Sequence, residues 1–140
     1  MSWPAAEVKI DANLVAALLH AQYPNFDDLD YSEVAEGFDN SLWRLGPELV
    51  IRLPRRAAAV TPLENELRWL PEVARHVSLR TPLPMLPGKP GEGFPWPWLI
   101  ATWIDGVPGD EVGPEILARS ARSLATFLRE VHVNAPRPAP

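Results

Sequence analysis

Apolar and polar positions along the chain change period several times, and each change marks an element. Between Asp11 and Tyr23, Leu14, Val15, Leu18 and Leu19 fall on one narrow stripe, which predicts a helix capped by Asp11 and ended by Pro24. The acidic stretch "NFDDLD" follows as a loop. Three short runs then suit strands, Tyr31 to Ala35, Leu42 to Leu45 and Leu49 to Leu53, with Gly37-Phe38-Asp39-Asn40 and Gly46-Pro47 as the turns between them. The pattern predicts a three-stranded antiparallel meander.

The next segment, "TPLENELRWLPEVARHV", has a helix start signal: Thr61 as N-cap, Pro62 at the first helical position and Glu64 three residues after the cap to close a capping box. Leu63, Leu67, Leu70 and Ala74 share one face, and Pro71 predicts a kink or break in the last third. In "LPMLPGKPGEGFPWPWLIATWIDG" we read a strand from Met85 to Lys89, a turn through Gly91 and Gly93, and a buried strand from Trp98 to Trp103. Pro114 opens a last helix through about Val133, with Leu117, Ala121, Leu124, Leu128 and Val131 as its stripe. No internal repeat or heptad pattern occurs.

Composition narrows the function classes. The 140 residues are 46% hydrophobic, enough for one real core. A net charge of -5 without a basic stripe argues against nucleic acid as a partner. There is no cysteine, so disulfides and thiolate metal sites are excluded, and His20, His76 and His132 lack metal-ligand spacing. No charged leader or membrane-length apolar run is seen, so no membrane partner is expected and the expected compartment is the cytoplasm. Of the 13 basic residues most are arginine, and the 17 prolines cluster at 82 to 97 and in the closing "APRPAP", which reads as a linker or frayed terminus.

The element order is helix, three strands, helix, two strands, helix. "GFDNSLWRLGPELVIRLPRR", "LENELRWLPEVA", "PWPWLIATWIDGVP" and "LATFLREVH" each resemble, in order, segments of the aminoglycoside phosphotransferase family of small-molecule kinases. The resemblance implies an α+β fold: a protein-kinase-like small lobe with a five-stranded antiparallel sheet and a helix after strand three. An extra N-terminal helix precedes it, and the first helix of the large lobe follows. Residues 1–106 would be the N-terminal lobe with its hinge, and 107–140 a linker and the first helix of a C-terminal lobe.

By that resemblance the loop between strands one and two lies over the phosphates of ATP or GTP, with Gly37, Asn40 and Ser41 on the phosphate side. The same residue types also make an ordinary turn. Arg52 stands on strand three where the fold usually keeps a lysine, and its planar fork can hold two phosphate oxygens. Arg55 and Arg56 are expected to be solvated at the strand end. A glutamate from the following helix holds such a cation. Glu64 and Glu66 both qualify; with Glu64 given to the capping box, Glu66 at the edge of the buried face is the expected partner. The hinge "LIATWIDGVP" would read the purine through the Thr102 carbonyl and the Ile104 N–H, leaving Trp96, Trp98 and Trp103 to core and interface.

The family's catalytic loop, resembling "HGDxxxxN", and its further metal-binding aspartate have no counterpart here, since no His-Gly-Asp occurs in the chain. The resemblance therefore implies no catalytic residue and no Mg2+ ligand in these residues, although Mg2+ and a small-molecule hydroxyl acceptor belong to the complete enzyme. Three readings compete: the N-terminal nucleotide-binding portion of such a kinase, incomplete for catalysis and self-associating through its last helix; a stand-alone nucleotide- or protein-binding module; or an antitoxin-like or regulatory small α+β protein.

Overall fold

In the computed structural model, which describes residues 4–132, Asp11 caps the first helix through a local contact: its Oδ1 accepts the Leu14 N–H at 3.1 Å. Helix α1 runs Ala12–Gln22 and buries Val15, Leu18 and Leu19. Lys9 also reaches the Asp11 carboxylate, at 2.8 Å. That ammonium hydrogen bond first, and the Leu14 N–H next, lower the Asp11 pKa below the ordinary carboxylate value. A lowered acid pKa stabilises the fold above the unfolded value, and the contribution disappears as pH falls through the folded one. Asp11→Ala is therefore expected to lower the melting temperature at neutral pH and to match the wild type in strong acid. A deficit that persists with the carboxylate protonated would rule the cap out as its cause.

The strands are β1 Tyr31–Glu36, β2 Asn40–Leu45, β3 Leu49–Pro54, β4 Pro84–Gly88 and β5 Trp98–Thr102. They form one antiparallel sheet in the order β1-β2-β3-β5-β4, with a bulge in β1 between Glu33 and Ala35. Helix α2 spans Val60–Ala74 between β3 and β4, and α3 spans Pro114–Val131 after β5. Short 3-10 turns cover Pro24–Phe26, Ala57–Ala59 and Gly109–Glu111. Among the described residues no helix is long and apolar enough to cross a membrane. The "APRPAP" ending and Val133 lie outside the described residues.

Side chains alternate across the sheet, so its two faces have separate cores. On one, Trp43, Leu45, Ile51, Leu53, Trp98 and Ile100 pack with Val15, Leu18 and Leu19 of α1 and with Phe94. Tyr23 and Gln22 pin the end of α1 to the far sheet edge. The Tyr23 hydroxyl donates to the Pro87 carbonyl at 2.6 Å, and the Gln22 amide makes two bonds to the Lys89 main chain, at 2.7 and 2.8 Å. On the other face Val50, Leu99 and Ala101 pack with Leu63 of α2, flanked by Leu42, Leu67 and Trp103. This second, smaller core is the floor of the site described below.

For α2 the expected cap is corrected, and of the expected kink or break at Pro71 the break does not occur. The helix starts at Val60 with Ala59 in the cap position and no side-chain cap, so Thr61 is not an N-cap and no capping box forms with Glu64. The Ala57–Ala59 turn runs directly into the helix and sets its first turn. Pro71 does not end the helix, which continues three residues to Ala74. Proline lacks the N–H that would bond the Leu67 carbonyl, so one intrahelical bond is lost while the helix runs on. Helix α3 is held at its end by Glu130, which accepts the Ser78 N–H at 2.7 Å and its hydroxyl at 3.0 Å, while Ile116, Leu117, Leu124 and Leu128 are exposed.

Candidate functional site

The register of β2, β3 and β5 places one row of side chains on the α2 face of the sheet. Leu42 pairs with Arg52, and Arg52 with Leu99, so the guanidinium rises from the middle of the sheet between apolar neighbours. It is held there by Glu66 of α2: Arg52 Nη2 donates to Oε1 at 3.1 Å and Nη1 donates to Oε2. Such a two-pronged pair fixes the guanidinium plane as a single contact cannot. Glu64, two residues earlier, is exposed. The structure thus pairs Arg52 with Glu66, although the capping-box argument that reserved Glu64 was mistaken.

Gly37, Phe38, Asp39 and Asn40 make a tight turn closed by the Gly37 N–H, which donates to the Asn40 carbonyl at 2.9 Å. Asn40 opens β2 opposite Pro54, two residues along the sheet from the Leu42–Arg52 pair. Paired residues share a face, so the Asn40 side chain lies on the Arg52 side. Ser41 lies on the opposite face. Only 2% exposed, its hydroxyl donates to Glu33 Oε1 at 3.2 Å and accepts the Trp43 indole N–H at 2.8 Å. Its side chain belongs to the α1-side core and cannot share an anion with Arg52.

Arg55 and Arg56 are corrected most. Arg55 is only 5% exposed; it pairs with Glu36, and its Nη1 donates to the Gly37 carbonyl at 2.8 Å. Arg56 Nη2 reaches the Phe38 carbonyl at 3.3 Å and Asp39 Oδ1 at 3.2 Å, with its guanidinium 4.5 Å from the Phe38 ring centroid. The hairpin turn and the end of β3 enclose both side chains. A turn that folds back over the neighbouring strand leaves no trace in the linear order of charges.

Among the described residues, three buried side-chain atoms find no hydrogen-bond partner: Asn40 Oδ1, Arg52 Nε and Arg56 Nε. Alternation along the sheet puts Asn40 and Arg52 on one face beside Pro54, while Arg56 follows two residues after the end of β3, where the chain bends. Native folds seldom leave such atoms unsatisfied without a ligand or water to meet them. The two guanidinium N–H groups ask for an acceptor, and a half-turn of the Asn40 amide replaces its oxygen with a donor.

The opposite end of this face meets the segment after β5. Leu49 pairs with Thr102, five residues along the sheet from the Asn40–Pro54 pair, a span of about 17 Å. The Thr102 N–H donates to the Leu83 carbonyl and that of Trp103 to Glu48 on the other side. By alternation the Thr102 carbonyl and the Ile104 N–H share the β4 side. Ile104 N–H finds no backbone partner among the described residues. Arg44 braces this end: its guanidinium lies 4.3 Å from the Trp103 ring centroid and 3.4 Å from Asp105, whose Oδ1 also accepts the Trp103 indole N–H at 2.6 Å. Trp98 is core, and Trp96 packs edge-on to Phe94. A groove of about 420 Å³ beside β1 is lined by Asp28, Asp30 and Arg44 and does not include Arg52, Glu66 or the 37–40 turn.

Residues 30–140 match the sequence model of the phosphotransferase enzyme family. The chain belongs to this family. No curated protein matches the sequence. Among solved structures, the GDP complex of wild-type aminoglycoside 2′-phosphotransferase-IIIa superposes with a TM-score of 0.77 at 21% identity, over 86% of this chain and 42% of that one. The GDP and kanamycin complex of a 2″ aminoglycoside phosphotransferase gives 0.72 at 21% identity, over 83% and 40%. A ternary complex of streptomycin, ATP and another 2″ enzyme gives 0.59 at 20%, over 93% and 42%. At these identities the likeness is one of fold, and the chain spans less than half the length of these phosphotransferase structures.

Proposed function

We propose that these residues are the nucleotide-binding portion of a two-lobed kinase that transfers the γ-phosphate of ATP or GTP to a hydroxyl of a small molecule. Aminoglycosides are the acceptor class that the matched structures suggest. The observation that carries the reading is at the turn end of the sheet: a guanidinium held by Glu66 whose own Nε is buried without a partner, on the same face as the equally unpartnered Asn40 Oδ1. Phosphate oxygens fit this set, because they accept from Arg52 Nε and from the main-chain N–H groups of Asp39 and Asn40 in the turn. Purine recognition falls to the Thr102 carbonyl and Ile104 N–H, at a distance an extended nucleoside triphosphate covers.

Gly37 and Asn40 keep their phosphate-side place in this proposal, Gly37 as the turn and Asn40 as a side-chain donor, while Ser41 contributes main chain only. Metal does not fit the described residues, among which no group of three or more His, Asp or Glu side chains could hold Mg2+. Residues 1–106 then form the N-terminal lobe and hinge, and α3 begins the second lobe, in which further helices cover its exposed Leu117, Leu124 and Leu128.

The test compares ATP and adenosine binding to the wild-type chain and to Arg52→Ala. Losing charge-assisted bonds to phosphate is expected to weaken ATP by about 10- to 100-fold and to leave adenosine unchanged. Equal ATP affinity in the variant, or a wild type that binds ATP no better than adenosine, rejects the phosphate site.

A further inference from the structure

We infer that Arg55 and Arg56 are positioning residues for phosphate binding: they grip the carbonyls of the 37–39 turn and so set the direction of its amides. This rests on the nucleotide reading above. The Gly37 carbonyl is held by Arg55 Nη1 at 2.8 Å, the Phe38 carbonyl by Arg56 Nη2 at 3.3 Å, and the Asp39 carbonyl by the Arg55 main-chain N–H at 2.8 Å. Three consecutive carbonyls are therefore tied to two consecutive arginines. In a planar trans peptide the N–H points opposite the carbonyl. Fixing the carbonyls of 37, 38 and 39 thus turns the amides of Phe38, Asp39 and Asn40 away from the groups that hold them, as a fixed set of donor directions.

The grip is itself anchored. Arg55 is buried and paired with Glu36, Arg56 also binds Asp39, and the Arg55 carbonyl accepts the Glu7 N–H at 2.8 Å. The Glu7 carboxylate in turn accepts the Ala57 N–H at 3.2 Å. A turn of this length in solvent samples many peptide orientations, and ordering it on binding costs conformational entropy. Holding it in advance moves that cost into folding, which is how preorganisation raises affinity.

Charge alone must be separated from geometry, since removing any cation weakens an anion. Arg56→Lys keeps the charge but lacks the planar guanidinium that lies over the Phe38 ring while its Nη2 reaches both the Phe38 carbonyl and the Asp39 carboxylate. The experiment measures ATP and adenosine affinities of the wild-type chain, Arg56→Lys, Arg56→Ala and Arg55→Lys, with amide hydrogen exchange followed at residues 36–41. Both Arg56 variants are expected to speed exchange in the turn, to bind ATP about tenfold more weakly and to bind adenosine as before. Arg55→Lys, with one donor nitrogen in place of the two that reach Gly37 and Glu36, is expected to do the same. Unchanged melting temperatures in the Arg56 variants show that the fold persists.

Full ATP affinity in Arg56→Lys would reduce the role of Arg56 to charge and overturn its positioning function. Wild-type preference for ATP retained in all variants, with exchange unaltered, overturns the inference and leaves the nucleotide reading standing. A wild type with no preference for ATP over adenosine overturns both, and faster exchange in the variants would then mark the arginines as ties of the hairpin alone.

Discussion

Alanine at position 88 is expected to cost about 3 kcal/mol of folding stability or more. Gly88 pairs with Trp98 across β4 and β5, and an added Cβ would stand 2.0 Å from Cε2 and 2.2 Å from Cδ2 of the indole. The indole cannot retreat. It is 0% exposed, edge-on to Tyr23 at 5.8 Å, and its Nε1 donates to the Lys89 carbonyl at 3.0 Å. The clash would be relieved only by breaking the β4–β5 ladder or displacing α1, which is anchored at that edge through Gln22 and Tyr23. Urea denaturation of Gly88→Ala should show a much lower midpoint, partly recovered by adding Trp98→Leu. An unchanged midpoint for the single variant would show that the sheet edge yields easily and that this packing is not a determinant of the fold.

Exchanging Arg52 and Glu66 for one another tests structure against function at the same pair. Either single replacement, Arg52→Glu or Glu66→Arg, puts like charges together on a partly buried face and should cost folding stability. The double replacement Arg52→Glu with Glu66→Arg restores opposite charges and should recover most of that loss. It also places a carboxylate on β3 where the nucleotide reading needs a cation. ATP affinity is therefore expected to stay at least about 100-fold below wild type while the fold recovers. If affinity recovers together with stability, the pair serves only to join α2 to the sheet, and the phosphate role assigned to Arg52 is wrong.

How much was legible follows from the range of the interactions. The α1 cap was visible because Asp11 and Leu14 are three residues apart, and their contact depends on little else. The hairpin turns and strand cores were visible because alternation and turn chemistry act within a few residues; observed strand ends differ from the expected ones by at most two positions. The start of α2 was missed. Thr61 and Glu64 have the right spacing for a capping box, but the path of the chain leaving β3 decides where the helix begins. Arg55 was missed for a similar reason: a cation among cations reads as solvated until the neighbouring hairpin folds over it and supplies Glu36 and the Gly37 carbonyl. For Ser41, strand alternation was a usable signal, since residues 41, 43 and 45 share a face and Trp43 and Leu45 are core.

The sequence by itself determined the element order, the antiparallel character of the sheet and the kinship with a phosphotransferase family, because periodicity, turn residues and segment spacing are local or additive along the chain. Only the tertiary structure decided that Glu66 and not Glu64 meets Arg52. It also decided that Ser41 faces away from the arginine and that two further arginines grip the turn beside it. Those facts depend on strand register and on how α2 lies across the sheet. Shifting the register by one residue would exchange the faces of a strand while leaving its local pattern unchanged.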